Sequence, residues 1–251
     1  MSEAWFYWPD LPEPESRVIL SGREARHAFG ARRLAEGDAL RLFDGCGRVA
    51  LATVEGVETP GRRATLGIRS VTQAKPLRPA IHLACALPKG DRQSTLLTMA
   101  AQLGLDSFSP LRTERRIVKP TTAFSERAQR WLVESCKQSR QAHLPRVGPE
   151  RTIDEVVGRA ADSPGGRVLI AHPNGGGMAS IVKELEGPEV IVSAIDVLIG
   201  PEGGFTPGEV ERAEAAGAKR VSLGPTILRI ETAAVVVLGT LRALLSEPPA
   251  A

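Results

Sequence analysis

Long apolar runs are missing from this chain of 251 residues. The longest, from Ala233 to Leu241, is closed by Arg242, well short of the roughly 20 apolar residues that cross a bilayer. The start, MSEAWFYWPD, carries acid early and has no apolar export core, so a cytoplasmic protein with no membrane partner is expected. Cysteine is scarce: Cys46, Cys85 and Cys136 lie far apart. Their odd count excludes a fully paired disulfide scaffold and suits a reducing compartment. The four histidines show neither HxxxH nor Cys/His spacing, so no metal site is expected. With aromatics at 4% and a single tyrosine, a surface that stacks single-stranded bases is not expected. Trp5, Phe6, Tyr7 and Trp8 read instead as a packed first strand. Also absent are GxGxxG after a strand and GKS or GKT after a glycine run, which removes the dinucleotide fingerprint and the phosphate loop.

What is present is ordinary globular material, 42% apolar and 24% charged, enough for one large core or two smaller ones. A net charge of +3 hints only mildly at an anionic partner, and its distribution says more. Between Leu111 and Arg151 the bases Arg112, Arg115, Arg116, Lys119, Arg127, Arg130, Lys137, Arg140, Arg146 and Arg151 face four acids, Glu114, Glu126, Glu134 and Glu150. That segment is a candidate nucleic-acid surface or a solvated helix face. Residues 1–70 hold ten charges of each sign and give no such signal.

Residues 17–71 read as short strands (RVIL, DALRLFDG, RVALATVEG, RATLGIRSV) broken by Gly, Asp and Pro, the pattern of a small barrel or sandwich. AKPLRP then reads as a linker, with domains expected at 1–73 and 76–246. Beyond it, strands and helices alternate: AIHLACALP, a helix near Arg92–Leu103 closed by Gly104, LDSFSPL, and a helix near Ser125–Arg140. A further helix starts at the capping box Thr152-Ile153-Asp154-Glu155, and the strand RVLIA follows. Such alternation predicts a parallel α/β sheet. Ile195–Ile199 then runs into Gly200-Pro201-Glu202-Gly203-Gly204, and Thr206-Pro207-Gly208-Glu209 is a second capping box with proline at its first helical position. That helix should end at Gly217, followed by the strand KRVSLG, a loop PTILRI, and a final helix ETAAVVVLGTLRALL whose apolar faces suit a core or a subunit interface.

Three loops thus follow three strands: Ala171 to Gly177, Gly200 to Gly204, and Leu223 to Arg229. Ligands in open α/β sheets bind at the carboxyl ends of strands, although glycine-rich turns alone fit a tight backbone equally well. LIGPEGGFTPGEVE followed by LGPTILRIETA resembles the motif pair of the 16S ribosomal RNA (uracil N3) methyltransferase family, within the knotted SPOUT methyltransferases. GARRLAEGDALRLFDG after His27, LPKGDR, QLGLDSFSPLRTER and KQSRQAHLP agree in order, so the resemblance spans nearly the whole chain. Met99, Gln102, Lys137 and Ile230 depart from residues usual in that family.

The resemblance implies an α/β fold whose C-terminal SPOUT parallel sheet, with helices on both faces, is tied in a trefoil knot. It also implies a small N-terminal PUA-like β-barrel that holds RNA, and a homodimer. S-adenosylmethionine would lie against Ala171, His172, Pro173, Leu198, Ile199, Gly200, Glu202, Gly203, Gly204, Leu223, Gly224, Ile227 and Leu228, with backbone groups reading the adenine and apolar side chains covering it. The activity implied is N3-methylation of a uridine in 16S ribosomal RNA of the small subunit. Arg229 could then stabilise the uracil anion and Glu231 or Glu202 accept its proton, while Arg140 could reach a partner's site. For Glu231 a carboxylate facing the helix dipole, and for Arg229 a phosphate contact, are equally good readings. RNA phosphates would meet Arg32, Arg33, Arg115, Arg116 and Lys119. Two rivals remain: a non-catalytic RNA-binding or ribosome-assembly factor of the same fold, and a SPOUT enzyme with another RNA target.

Overall fold

The computed structural model describes residues 3–58, 63–187 and 191–245; residues 1, 2 and 246, at the ends of the two expected domains, lie outside them. Two compact units divide the chain, Met1–Pro76 with Cys136–Leu144, and Leu77–Ser135 with Pro145–Ala251.

The first unit is a curled five-stranded sheet. Its strands are β1 (Ala4–Tyr7), β2 (Arg17–Ser21), β3 (Ala39–Phe43), β4 (Arg48–Glu58) and β5 (Arg63–Gln73), in the order β1-β3-β4-β5-β2. Only the β1/β3 pair is parallel. A short helix α1 (Gly22–Arg26) and a π-helical turn at His27–Ala31 follow β2. Alternation along β3 and β4 points Leu40, Leu42, Ala50, Ala52 and Val54 inward, where they pack with Phe6 and Leu66, as the two-residue period of a half-buried strand requires. Phe6 is fully buried and Trp5 and Tyr7 partly so, in keeping with a packed first strand. Lys137 reaches Glu24 with Nζ at 2.9 and 3.2 Å from the two carboxylate oxygens and lies 5.6 Å from the Phe6 ring. The lysine that departs from the family pattern is thus a buried, paired cation.

The second unit carries a parallel sheet. Its elements are β6 (Ala80–Cys85), α2 (Arg92–Gln102), β7 (Ser107–Arg112), α3 (Thr122–Ser139), β8 (Arg146–Val147), β9 (Arg151–Thr152), α4 (Ile153–Ala161), β10 (Gly166–Gly177), α5 (Met178–Leu185), β11 (Ala194–Ile199), α6 (Pro207–Ala215), β12 (Lys219–Ser222) and α7 (Ile230–Leu245). The last turn of α3 belongs to the first unit. Strand order is β12-β10-β11-β6-β7-β8, with β9 pairing β7 off the main path. One face is covered by α4 and α6, whose Val156, Val157, Val210 and Ala213 pack on Val168, Ile170 and Leu198. On the other, α7 lies against β6 and β11 with α2 and α5 beside it. Both expected capping boxes form: Thr152 Oγ1 accepts from Glu155 N and Thr206 Oγ1 from Glu209 N, with Pro207 at the start of α6.

The region around the glycine run differs from expectation. Ala171 to Gly177 is not a free loop but the end of β10, which pairs β12 before and after a bulge between Ala171 and Gly176. A β-carbon at Gly175 would stand 2.4 Å from the Val221 carbonyl carbon, so the close approach of two backbones requires glycine. The helix α5, hidden behind the glycine run, was not expected.

Among the described residues no helix is long and apolar enough to cross a membrane. All three nitrogens of one guanidinium anchor the starts of β6 and β7: Arg242 Nε donates to Gly104 O at 3.1 Å, Nη1 to Pro79 O at 2.6 Å, and Nη2 to Asp106 Oδ2 at 2.7 Å. Asp106 Oδ2 also accepts from Ile81 N at 2.8 Å, locking the start of β6 to α7.

Candidate functional site

The carboxyl ends of β10, β11 and β12 open into a cavity of about 400 Å³, walled by Ala171, His172 and Pro173, by Ile199 to Phe205, and by Leu223, Gly224, Thr226, Ile227 and Leu228. Parallel pairing puts all three strand ends on one edge, so segments distant in sequence meet there. Ile227 is 82% exposed on its loop, an apolar wall facing empty space, the kind of surface a ligand covers.

The glycine turn is built to keep its backbone near that space. Gly204 N donates to Pro201 O at 2.8 Å. A β-carbon on Gly200 would press on the Phe205 ring at 3.1 to 3.3 Å. Buried Glu209 braces the turn from below: one carboxylate oxygen accepts from Thr206 N and the other from Glu114 N, both at 2.8 Å. That second bond brings the loop after β7 to the turn, where Arg115 Nη1 donates to Gly203 O at 2.8 Å.

At the opposite rim, His172 Nδ1 accepts from Asn174 N at 3.1 Å. Burial and the nearby Arg220 push this imidazole below its usual value, so it is neutral with its proton on Nε2.

A charged cluster stands beside the cavity. Arg92, in the first turn of α2, donates from Nη2 to Glu202 Oε1 at 3.2 Å and places Nη1 3.9 Å from Glu231 Oε2. Glu231 is 9% exposed, in the first turn of α7, and its Oε2 is buried without a hydrogen-bond donor. An unmet buried carboxylate oxygen is costly, and it is poised to accept a proton or a donor from a bound molecule. Beneath it, complete burial and the charges of Glu231 and Glu202 push the Cys85 thiol far up, so it stays protonated and inert.

Of the residues named from sequence for the methyl donor, all but Leu198 line the cavity. Leu198 is instead fully buried in the sheet core, because its side chain alternates to the opposite side of β11 from the opening. Arg229 is exposed and outside the lining. Arg140 follows α3 in a left-handed conformation, φ +57°, and is likewise not among the lining residues. Of the RNA-contact candidates, Arg32, Arg33 and Lys119 are exposed. Arg115 is a wall of the cavity, and Arg116 is half-buried in an ion pair with Glu150, so neither is simply a free phosphate contact. Nothing local in LPKGDR indicates that Arg92 meets Glu202, 110 residues away.

A parallel sheet with a ligand cavity at its carboxyl edge, on a chain that also carries a curled β unit, is the layout of a two-part RNA methyltransferase. Residues 75–242 match the RNA methyltransferase domain family and residues 20–61 the RNA methyltransferase PUA domain family. The chain is 31% identical over 248 residues to ribosomal RNA small subunit methyltransferase E of Mycobacterium bovis, covering 96% of this chain and 92% of that protein. To the Synechocystis protein of the same name it is 32% identical, over 93% and 75%. The crystal structure of ribosomal RNA small subunit methyltransferase E from Neisseria gonorrhoeae bound to S-adenosyl methionine superimposes with a TM-score of 0.83 at 27% identity, over 98% of this chain and 99% of that one. The chain belongs to this RNA methyltransferase family.

Proposed function

We propose that the protein transfers the methyl group of S-adenosylmethionine to N3 of a uridine in 16S ribosomal RNA of the small subunit. The observation that carries this is the cavity of about 400 Å³ with the Arg92, Glu202 and Glu231 cluster at its side. Its volume falls in the range of small-molecule sites. Backbone groups of the loops at Ala171–Pro173, Gly200–Gly204 and Leu223–Leu228 would read the adenine edge, while Ile199, Leu223, Ile227 and Leu228 would cover its faces.

S-adenosylmethionine supplies an electrophilic methyl on a sulfonium. The chain's own residues do the rest. Uracil N3 carries a weakly acidic imide proton, and the unsatisfied Oε2 of Glu231 is the acceptor for it. Arg92 holds Glu202 and Glu231 in place and offsets their mutual repulsion, and Arg229, free on the loop, stabilises the charge that develops on the uracil oxygens. Arg115, fixed to Gly203, sets the loop at the depth where donor and base are aligned, and such alignment supplies much of the rate. Arg32, Arg33 and Lys119 contact phosphates. The half-buried Val235 and Val236 and the exposed Leu244 of α7 form part of a homodimer interface, across which Arg140 approaches the partner's site. The enzyme works in the cytoplasm.

The test is transfer of labelled methyl from S-adenosylmethionine to unmodified small subunits and to naked 16S ribosomal RNA. Incorporation into either supports the reading; donor binding without incorporation would favour a non-catalytic RNA-binding factor.

A further inference from the structure

A second cavity, of about 290 Å³, lies between α4 and the sheet. Its floor is a polar row crossing four parallel strands in register: Asp196 of β11 beside His82 of β6, His82 beside Ser107 of β7, and Ser107 beside Arg146 of β8. Neighbours in such a row stand about 4.8 Å apart. On the other face of the same strands Ile81, Leu83, Ile195 and Val197 are completely or almost completely buried, so the polar row is a local departure from an apolar sheet. Arg151 and Arg159 complete the walls.

The charges do not balance. Three guanidiniums face one carboxylate, Asp196, which pairs with Arg159. Among the described residues, neither Arg146 nor Arg151 makes an ion pair, and the buried Nε of Arg159 has no acceptor. Burial above all, with Arg159, Arg146, Arg242 and Arg78 adding to it, drives His82 down to about 4. His82 is therefore neutral, with Nδ1 2.8 Å from Ser107 Oγ. Arginine forks with the hydroxyls of Ser107 and Ser109 supply the donors that a tetrahedral oxyanion takes.

We propose that this cavity is a phosphate-binding site, separate from the methyl-donor cavity, in which Arg146, Arg151 and Arg159 hold a phosphate group with Ser107 as an additional donor. Asp196 orients Arg159 through their ion pair. The two cavities share no lining residue, and Asp196 and Gly200 are about 13 Å apart along the chain. The phosphate comes either from an RNA backbone or from a free nucleotide; both present a tetrahedral phosphate with negatively charged oxygens. Nothing in this site depends on the methyl-transfer reading.

The test uses the full-length protein and three probes: inorganic phosphate, uridine monophosphate, and a 16S ribosomal RNA fragment, each against chloride at equal ionic strength. Phosphate line broadening in 31P NMR and phosphate-dependent thermal stabilisation are expected for the wild type. R146A and R151A, at positions that are not core, should each weaken phosphate binding about tenfold, the loss expected for one charge-assisted contact. S-adenosylmethionine affinity should be unchanged. A parallel loss of RNA affinity, with competition by free phosphate, identifies the backbone as the source; loss of uridine monophosphate binding alone identifies a nucleotide. Absence of phosphate-specific broadening in the wild type, or equal phosphate binding in wild type, R146A and R151A, overturns the proposal. Because donor binding is read separately, failure of this site is distinguishable from failure of the methyltransferase reading.

Discussion

Arg92 Nη2 donates to Glu202 Oε1 at 3.2 Å across 110 residues of sequence, joining the start of α2 to the glycine turn after β11. The same guanidinium stands 3.9 Å from Glu231 Oε2. One cation therefore stabilises two carboxylates on different elements, the glycine turn and the first turn of α7, which would otherwise repel one another at the cavity's side.

From this arrangement, R92A should lower the single-turnover methyl-transfer rate about 100-fold, the scale of losing one preorganised charged donor. Donor affinity should change less than threefold. R92K should recover part of the rate, since it restores the charge without the fork. A variant with wild-type turnover and merely reduced thermal stability would make Arg92 a structural residue.

E231Q tests the proton-acceptor role. The amide keeps the volume but cannot take the imide proton, so transfer should fall about 100-fold with little change in donor affinity. The variant, in which deprotonation is left to hydroxide, should gain rate with rising pH more steeply than the wild type. Coincident pH profiles would remove Glu231 from the chemistry.

G175A probes the backbone crossing. With a β-carbon 2.4 Å from the Val221 carbonyl carbon, β10 and β12 must separate, and the cost should be about 2 to 3 kcal/mol, as for other forced overpacking. Urea unfolding reads this directly. An unchanged midpoint would mean that the two strands are not held at the observed spacing.

The row at His82 makes stability depend on pH in a defined direction. His82 is lowered to about 4 by burial and nearby arginines, whereas the unfolded side chain titrates near 6.5. The unfolded chain therefore takes up this proton first, and the His82 contribution to stability is lost as pH falls from about 6.5 toward 4. Asp196 acts oppositely: burial raises it to about 6 despite Arg159, so the folded state takes up its proton first and gains stability as pH falls through about 6 toward 4. Measured by urea unfolding, the stability difference between wild type and H82Q should shrink on acidification over the first window. The difference between wild type and D196N should grow over the second. Differences that are flat in pH would contradict the burial of these two groups.

Much of the α/β unit was legible because its signals are local. Thr152 with Glu155, Thr206 with Glu209, and Pro207 mark helix starts within four residues, and both capping boxes form. The cavity lining was legible for a related reason: strand ends in a parallel sheet share an edge. What the sequence concealed depends on long-range pairing. Nothing near Arg92 announces Glu202, and Leu198 could be separated from Ile199 as core rather than lining only once the face of β11 was known. His82 and Asp196 sit singly inside the apolar strings AIHLACALP and AIDVLIG, and only strand register reveals them as neighbours. The glycines of Ala171–Gly177 suggest a loop and hide a bulged continuation of β10 along β12.

The most direct measurement of the central claim is nucleoside analysis by mass spectrometry of 16S ribosomal RNA and small subunits after incubation with the protein and methyl-labelled S-adenosylmethionine. Label is expected in 3-methyluridine at one site, reduced about 100-fold by R92A and by E231Q. Label in a different nucleoside, or donor binding with no labelled nucleoside in either substrate, would contradict it.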